Sequence, residues 1–364
     1  MKIKDIISVL EEFAPLSLQE SYDNCGLITG NKEMNVNGAI LSLDCTEAVI
    51  DEAIASNVNL IIAHHPIIFS GLKKINGKNY VERAIIKAIK NDIAIYAMHT
   101  NLDNVITGVN KKIAEKLHLN NLSILSEKQN LLKKIFVFVP KDAAEKLRDA
   151  IFKTGAGFIG NYSECSFNSE GFGTFKANEN AQPFIGEKDV RHKENEIKIE
   201  CIFPNYLENQ IIDAIKNNHP YEEPAFDIVS LNNSFSKVGS GIIGELETEM
   251  DSQEFLKFLK KNMNLSVIRY TNFNKKIKRV AICGGSGSFL LKDAKSAQAD
   301  AFVTSDFKYH EFFDAENQVM ICDIGHFESE QFTVEIFEEI LKKKFSTFAL
   351  LLSKINTNPI NYYI

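Results

Sequence analysis

Several protein classes are excluded by what this sequence lacks. None of its apolar runs approaches the roughly 18 residues that a membrane span needs, so no membrane association is expected. The opening residues, Met1-Lys2-Ile3-Lys4-Asp5-Ile6-Ile7, break their apolar spacing with charges. They predict an amphipathic helix and lack the continuous apolar core of a signal peptide. The six cysteines (Cys25, Cys45, Cys165, Cys201, Cys283, Cys322) are scattered without a C-x-x-C pair. That pattern gives no disulfide framework and points to a reducing, cytoplasmic setting. Cys45, Cys283 and Cys322 sit at or near the ends of apolar runs, where small buried thiols are expected. Basic residues are not in excess: Lys and Arg number 41 against 48 Asp and Glu, a net charge of −7. A dedicated nucleic-acid-binding face is therefore not expected, although a local basic patch could serve a phosphorylated small molecule. There is no low-complexity tract and no short-period repeat.

What is present is an ordinary soluble composition, 45% hydrophobic and 24% charged, in a chain of 364 residues. That length allows two domains, or one large domain carrying an insert. Short apolar runs recur, each followed by a polar cluster and then a helical pattern. Ala39-Ile40-Leu41-Ser42-Leu43-Asp44 leads to Cys45-Thr46-Glu47, Asn59-Leu60-Ile61-Ile62-Ala63 to His64-His65-Pro66, and Ile93-Ala94-Ile95-Tyr96-Ala97-Met98 to His99-Thr100-Asn101-Leu102-Asp103. Later, Val280-Ala281-Ile282-Cys283 leads to Gly284-Gly285-Ser286-Gly287, Ala301-Phe302-Val303-Thr304 to Ser305-Asp306, and Val319-Met320-Ile321-Cys322 to Asp323-Ile324-Gly325-His326. Continuous rather than alternating runs suit strands buried on both faces, and strand–helix alternation predicts an α/β fold. From about 133 to 231 the pattern changes to strand, helix, strands, helix, strand, an order that resembles a ferredoxin-like α+β module. The expected organisation is an α/β domain over 1–132 and 237–364, interrupted by an insert over 133–236.

Two strand ends carry metal-ligand chemistry. Imidazoles and carboxylates bind Zn, Fe, Mn or Co, and strand ends face the crevice where α/β proteins keep their sites. Adjacent side chains of a strand point to opposite faces, so His64 and His65 reach one site only if the strand stops there, as Pro66 favours. By itself the pair could equally cap a strand through ordinary hydrogen bonds. His326 and Glu330 are spaced i, i+4 and share a face if a helix starts near His326, though alone they could equally be a first-turn carboxylate and a surface histidine; Glu328 is expected to be solvated. Asp103 lies just past another strand at the same expected rim. His64, His65, Asp103, His326 and Glu330 exceed a single tetrahedral site and suit two divalent ions, with hydrolytic chemistry as the consequence. His99 either orients a ligand or contacts substrate, with strand-end packing as the alternative.

Further candidates are weaker. Gly284, Gly285 and Gly287 follow a strand and precede an expected helical run, where backbone N–H groups could hold phosphate; a simple tight turn is the other reading. Lys308 could pair with a phosphate and His310 could move protons, though both also suit a solvated first helical turn.

These motifs together resemble the NIF3-like (DUF34) family of GTP cyclohydrolase 1 type 2 homologs. The matching stretches are Ser21-Tyr22-Asp23-Asn24-Cys25-Gly26-Leu27, Ala63-His64-His65-Pro66, His99-Thr100-Asn101-Leu102-Asp103 and Gly325-His326-Phe327-Glu328-Ser329-Glu330, with the 284–287 and 304–311 stretches beside them. Tyr22 departs from the tryptophan common in the family but keeps an aromatic ring with a polar tip. The resemblance implies a two-lobed α/β core, a dinuclear metal centre on the five residues named above, and a toroidal homohexamer. It also implies that the insert is PII/CutA1-like, with His219-Pro220-Tyr221-Glu222-Glu223-Pro224 as its typical segment. The expected activity is hydrolysis of a nucleotide-like substrate, with GTP converted to dihydroneopterin triphosphate and formate as one form of it. A metal-dependent scaffold whose insert senses a small ligand is the alternative.

Overall fold

The continuous apolar runs become the inner strands of two sheets. A computed structural model describes residues 1–363. The first stretch runs α1 (Ile3–Phe13), β1 (Gly26–Thr29), β2 (Ala39–Ser42), α2 (Glu47–Ala55), β3 (Leu60–Ala63), α3 (Tyr80–Lys90), β4 (Ala94–Ala97), α4 (Thr100–Asp103), α5 (Val109–Lys116) and β5 (Asn120–Gln129). The next holds β6 (Leu132–Pro140), α6 (Ala144–Lys153), β7 (Phe167–Lys176), β8 (Arg191–Pro204), α7 (Glu208–Asn218) and β9 (Phe226–Leu231). The last holds β10 (Ser234–Met250), α8 (Ser252–Asn262), β11 (Arg269–Tyr270), β12 (Ile277–Ser286), α9 (Leu291–Ser296), β13 (Ala301–Ser305), β14 (Met320–Asp323), α10 (His326–Glu330), α11 (Thr333–Lys344) and β15 (Leu350–Leu352).

Two compact units result: Met1–Glu127 with the chain from Lys237 onward, and Lys128–Ser236. The second begins at Lys128, near the end of β5, and a turn at Asn130, with φ +60°, leads from β5 into β6.

The larger unit is built on two sheets. One has the order β1-β4-β3-β2-β15, in which β15, β2, β3 and β4 are parallel and β1 is an antiparallel edge. The other has the order β11-β14-β13-β12-β10-β5, with β12, β13 and β14 parallel. Parallel neighbours end on one edge, so each sheet delivers the residues after its strands to one rim. Ile40, Ile61 and Ile95 pack against Val49, Ile50 and Ala53 of α2 and Ala84, Ile85 and Ala88 of α3. In the second sheet Ala281, Phe302 and Ile321 pack against Leu291 and Ala294 of α9.

Local signals start the helices. Asn79 caps α3 by accepting from the Glu82 N–H at 2.9 Å, and Asp251 caps α8 by accepting from Gln253 and Glu254, each at 2.9 Å. Helix α1 buries Ile3, Ile6, Ile7 and Leu10, the stripe of an amphipathic helix. A helix of 11 residues is marginal alone, and four such side chains contribute about 1.5–3 kcal/mol each on burial, so packing decides its formation.

The smaller unit is a four-stranded sheet of order β7-β8-β6-β9 with every pairing antiparallel. Two helices cover one face: Ile135, Val137, Val139, Ile199 and Cys201 pack against Leu147 and Ile151 of α6 and Ile211 and Ile215 of α7. Strand–helix–strand–strand–helix–strand in this spatial order is the ferredoxin-like arrangement that the residue pattern anticipates.

Candidate metal centre

Strand ends create the site. β3 stops at Ala63 because the His64 and His65 N–H groups both turn to the Leu43 carbonyl, at 3.1 and 2.9 Å. β4 stops at Ala97, and Leu102 and Asp103 then donate back to the His99 carbonyl, forming the single turn of α4. After β14, Gly325 takes φ +91°, a left-handed conformation that glycine adopts at no cost, and α10 begins at His326. A Cβ at Gly325 would also lie 2.3 Å from Glu328 Oε2.

Five side chains far apart in sequence are thereby brought together. His65 Nε2 lies 3.0 Å from Glu330 Oε2, and His326 Nε2 lies 3.2 Å from the same oxygen. His64 Nε2 lies 3.6 Å from Asp103 Oδ1 and 3.7 Å from Glu330 Oε1. Three overlapping groups have donor atoms mutually within 4.8 Å: His64, His65 and His99; His65, His326 and Glu330; and His64, Asp103 and Glu330. His64 and Glu330 are almost wholly buried. His64 Nε2, His65 Nε2, Asp103 Oδ1 and Glu330 Oε2 are nevertheless buried without a hydrogen-bond partner.

Each imidazole is held by its other nitrogen. His64 Nδ1 donates to the Met98 carbonyl at 2.7 Å, His65 Nδ1 to Asp44 Oδ1 at 2.7 Å, His326 Nδ1 to Asp306 Oδ2 at 2.6 Å, and His99 Nδ1 to Asp23 Oδ1 at 2.9 Å. An Nδ1–H fixed on an acceptor leaves Nε2 with its lone pair turned to the centre, the arrangement of metal-binding histidines. Asp23 also accepts from the Thr100 N–H at 2.9 Å and from the Thr100 hydroxyl. Burial would raise the Asp23 carboxyl, but His99 and Thr100 hold it well below the usual carboxylate range.

The electrostatics are those of imidazoles and carboxylates crowded together. Burial pulls His65 and His326 down, but Asp44 with Glu330 and Asp306 with Glu330 outweigh it and raise them to about 10 and about 11. Burial also opposes ionisation of Glu330, yet the His326, His64 and His65 rings keep it well below the carboxylate range. Burial, with the Glu330 charge beside it, pushes Asp103 up to about 7. Cations at the centre would displace these protons and satisfy the unpaired atoms, so the donor set fits divalent metal.

Other expectations need correction. β12 continues through Ser286, and the next α-helix, α9, starts only at Leu291. The Gly284 N–H donates to Asn110 Oδ1 at 2.8 Å and the Gly285 N–H to Ser329 Oγ at 2.9 Å, so neither is free for phosphate. The glycines serve close packing: a Cβ at Gly285 would lie 2.4 Å from Glu330 Oε1, and one at Gly287 2.3 Å from Thr304 Oγ1. Lys308 and His310 are exposed and outside the cavity; the His310 ring lies 5.1 Å from Tyr309 and 6.4 Å from Phe313. Glu328 is buried rather than solvated, and its Oε1 accepts from Asn358 Nδ2 at 3.1 Å.

Asp44, Asp306 and Asp23 are the residues that sequence reasoning left without a role. Asp44 and Asp306 are the first carboxylates after buried runs ending at this edge, a signal that could have identified them. Asp44 also accepts from the Thr357 hydroxyl at 2.5 Å, which ties the C-terminal tail to the His65 support.

The centre opens into a cavity of about 580 Å³ whose walls include Tyr22, Phe69, Phe289, Phe327 and, from the tail, Pro359 and Ile360. Its lining contains neither Lys nor Arg among the described residues. No helix in the described residues is long and apolar enough to cross a membrane.

A model of the Duf34/NIF3 (NGG1p interacting factor 3) family matches residues 1–359. A GTP cyclohydrolase 1 type 2 homolog of Staphylococcus epidermidis is 40% identical over 368 residues, covering 100% of both chains. That of Bacillus subtilis is 38% identical, covering 99% of this chain and 98% of its own. Among solved structures, a Bacillus cereus protein related to NIF3 matches with a TM-score of 0.88 and 37% identity, covering 100% of this chain and 99% of the other. Staphylococcus aureus protein SA1388 matches with a TM-score of 0.78 and 33% identity over the same shares.

Proposed function

The chain belongs to the Duf34/NIF3 family, and on that premise we propose that its core is a dinuclear metal-dependent hydrolase acting on a nucleotide-like substrate. The observation that carries this reading is the set of buried, unpartnered donor atoms on His64, His65, Asp103 and Glu330, with the His326 ring aimed at the same carboxylate. Unsatisfied buried polar atoms cost about 1–3 kcal/mol each, so four in one cluster argue for a cation that satisfies them. Glu330 turns Oε1 toward His64 and Oε2 toward His65 and His326, so both of its oxygens would be available as metal donors. His64, His65, Asp103, His326 and Glu330 would hold them. Zn, Fe, Mn and Co all suit the mixed nitrogen and oxygen donors.

Two divalent ions there would act as Lewis acids and make water acidic enough to serve as a nucleophile at neutral pH. The chain's own residues supply the rest. His99, oriented by Asp23 and lining the cavity, moves a proton between substrate and solvent. Tyr22, Phe69 and Phe289 offer ring faces to a flat heterocycle. No Lys or Arg lines the cavity among the described residues, so the charge to hold a phosphate would come from the ions at the centre.

The names of the relatives suggest GTP as the first compound to try. Metal-loaded protein incubated with GTP should release formate and a fluorescent pterin; a wider panel of cyclic amidines and phosphoesters follows. Failure across that panel would favour the second reading, a metal-dependent scaffold or sensor. The same reading expects a cytoplasmic homohexamer, which sedimentation can test.

A further inference from the structure

The smaller unit carries a hollow of its own, with no part in the metal centre. Strand alternation puts Phe138, Glu196, Lys198, Gly171 and Gly173 on the sheet face opposite α6 and α7. The segments that follow β7 and precede β9 lie over that face, and between them is a cavity of about 550 Å³. That volume falls within the roughly 300–1,000 Å³ typical of small-ligand sites. The floor is left open by glycine: nothing lies within 4 Å of a Cβ built at Gly171, and one at Gly173 would meet Glu196 Oε2 at 2.2 Å.

The walls have a specific chemistry. The Tyr221 ring lies 5.8 Å from Phe175 and 6.4 Å from Phe184, and Phe172 and Phe184 remain 63% and 65% exposed. Large aromatic rings clustered at an open cavity mark a binding surface rather than scattered exposure. The carboxylates Glu170, Glu196, Glu222 and Glu223 also line it, against one cation, Lys198. Lys198 is engaged, its Nζ 2.7 Å from Glu200 Oε1 and 4.4 Å above the Phe136 ring; Glu170 is likewise taken by Lys141 at 2.8 Å. Glu196 and Glu223 have no ion pair among the described residues. The Tyr221 hydroxyl is buried beside the Glu196 carboxylate.

We propose that this hollow binds a small organic cation, an ammonium or protonated amine without phosphate, between the ring faces of Phe175, Phe184 and Tyr221 and the carboxylates of Glu196 and Glu223. Ring faces carry negative charge density and attract ammonium groups, and the carboxylates supply the countercharge. The carboxylate excess repels phosphates, so the ligand differs in class from a nucleotide. The Tyr221 phenol oxygen, beside Glu196, keeps lone pairs that can accept an N–H or hydroxyl from it. This inference is independent of the reading of the metal centre.

The test is calorimetric titration of the full chain with choline and with 3,3-dimethyl-1-butanol, its uncharged carbon isostere; putrescine and tetramethylammonium complete the panel. Saturable binding of at least one cation, with the isostere weaker than choline by about tenfold or more, is expected. Glu196→Gln, Glu223→Gln and Tyr221→Leu should each weaken the bound cation by about fivefold or more without changing the metal content of the protein. Glu223 is at the surface, so its variant tests the site even if Tyr221→Leu disturbs folding. Binding of no cation at millimolar concentration, equal binding of choline and the isostere, or unchanged affinity in the two glutamine variants would each overturn the proposal.

Discussion

Gly285 and Glu330 are fitted to each other: a Cβ on Gly285 would stand 2.4 Å from Glu330 Oε1. Gly285 also has φ +63°, where a side chain costs roughly 1–2 kcal/mol. Gly285→Ala should therefore displace the carboxylate as well as strain the strand end. We expect it to lose at least half of its bound metal, with stability falling by about 1–3 kcal/mol. Metal analysis and urea unfolding, side by side, check both parts. Full metal retention would mean that Glu330 does not need this approach.

The carboxylates behind the imidazoles make a graded prediction. Asp44→Asn and Asp306→Asn keep the size of the side chain but remove the charge that fixes His65 and His326. Losses of supporting groups of this kind typically weaken metal affinity by about 10- to 100-fold. Thr357→Val removes only the hydroxyl on Asp44 and should weaken it less. Competition with a chelator measures all three, and equal affinities would show that the rings hold their orientation without support.

Asp23 acts through His99. Asp23→Asn should keep its metal, because Asp23 contacts none of the five proposed ligands, yet lose about 10- to 100-fold in turnover on whichever substrate the panel identifies. The pH–rate profile should change shape as well as height. A purely structural role would lower stability and leave the profile in place.

His219 gives a pH prediction away from the metal. Burial lowers its pKa below 6.5, the hydrogen bond to the Phe138 carbonyl only partly opposing this. Between the lowered value and 6.5 the unfolded chain binds a proton that the folded chain does not, so stability rises with pH there. Its contribution is complete above 6.5 and is lost as pH falls through the folded value. In proton NMR of the full chain, the imidazole signal missing from His219→Gln should titrate with a midpoint below 6.5. A midpoint at or above 6.5 contradicts the burial argument.

The parts of the centre legible in the sequence were those carried by local pattern. His64-His65-Pro66 ends a buried run, and His326 and Glu330 share one helical face, so spacing alone aims each pair. Asp44, Asp306 and Asp23 could not be given roles that way, because their partners lie across the fold. In the 284–287 stretch glycine suggests a phosphate loop, whereas Asn110 and Ser329 take the Gly284 and Gly285 N–H groups and Glu330 leaves no room for a Cβ at Gly285. Lys308 and His310 lie outside the cavity lining. Asp306 takes a left-handed turn, φ +60°, and the following 3-10 segment sets His310 among Tyr309 and Phe313. Glu328 read as solvated because its partner, Asn358, belongs to the C-terminal tail.

Metal stoichiometry tests the central claim most directly. Protein loaded with a divalent metal, freed of excess and analysed by plasma mass spectrometry should hold two ions per chain, and the His326→Ala/Glu330→Ala double variant should lose at least one. A wild-type chain that retains none, or a double variant that retains both, would contradict it.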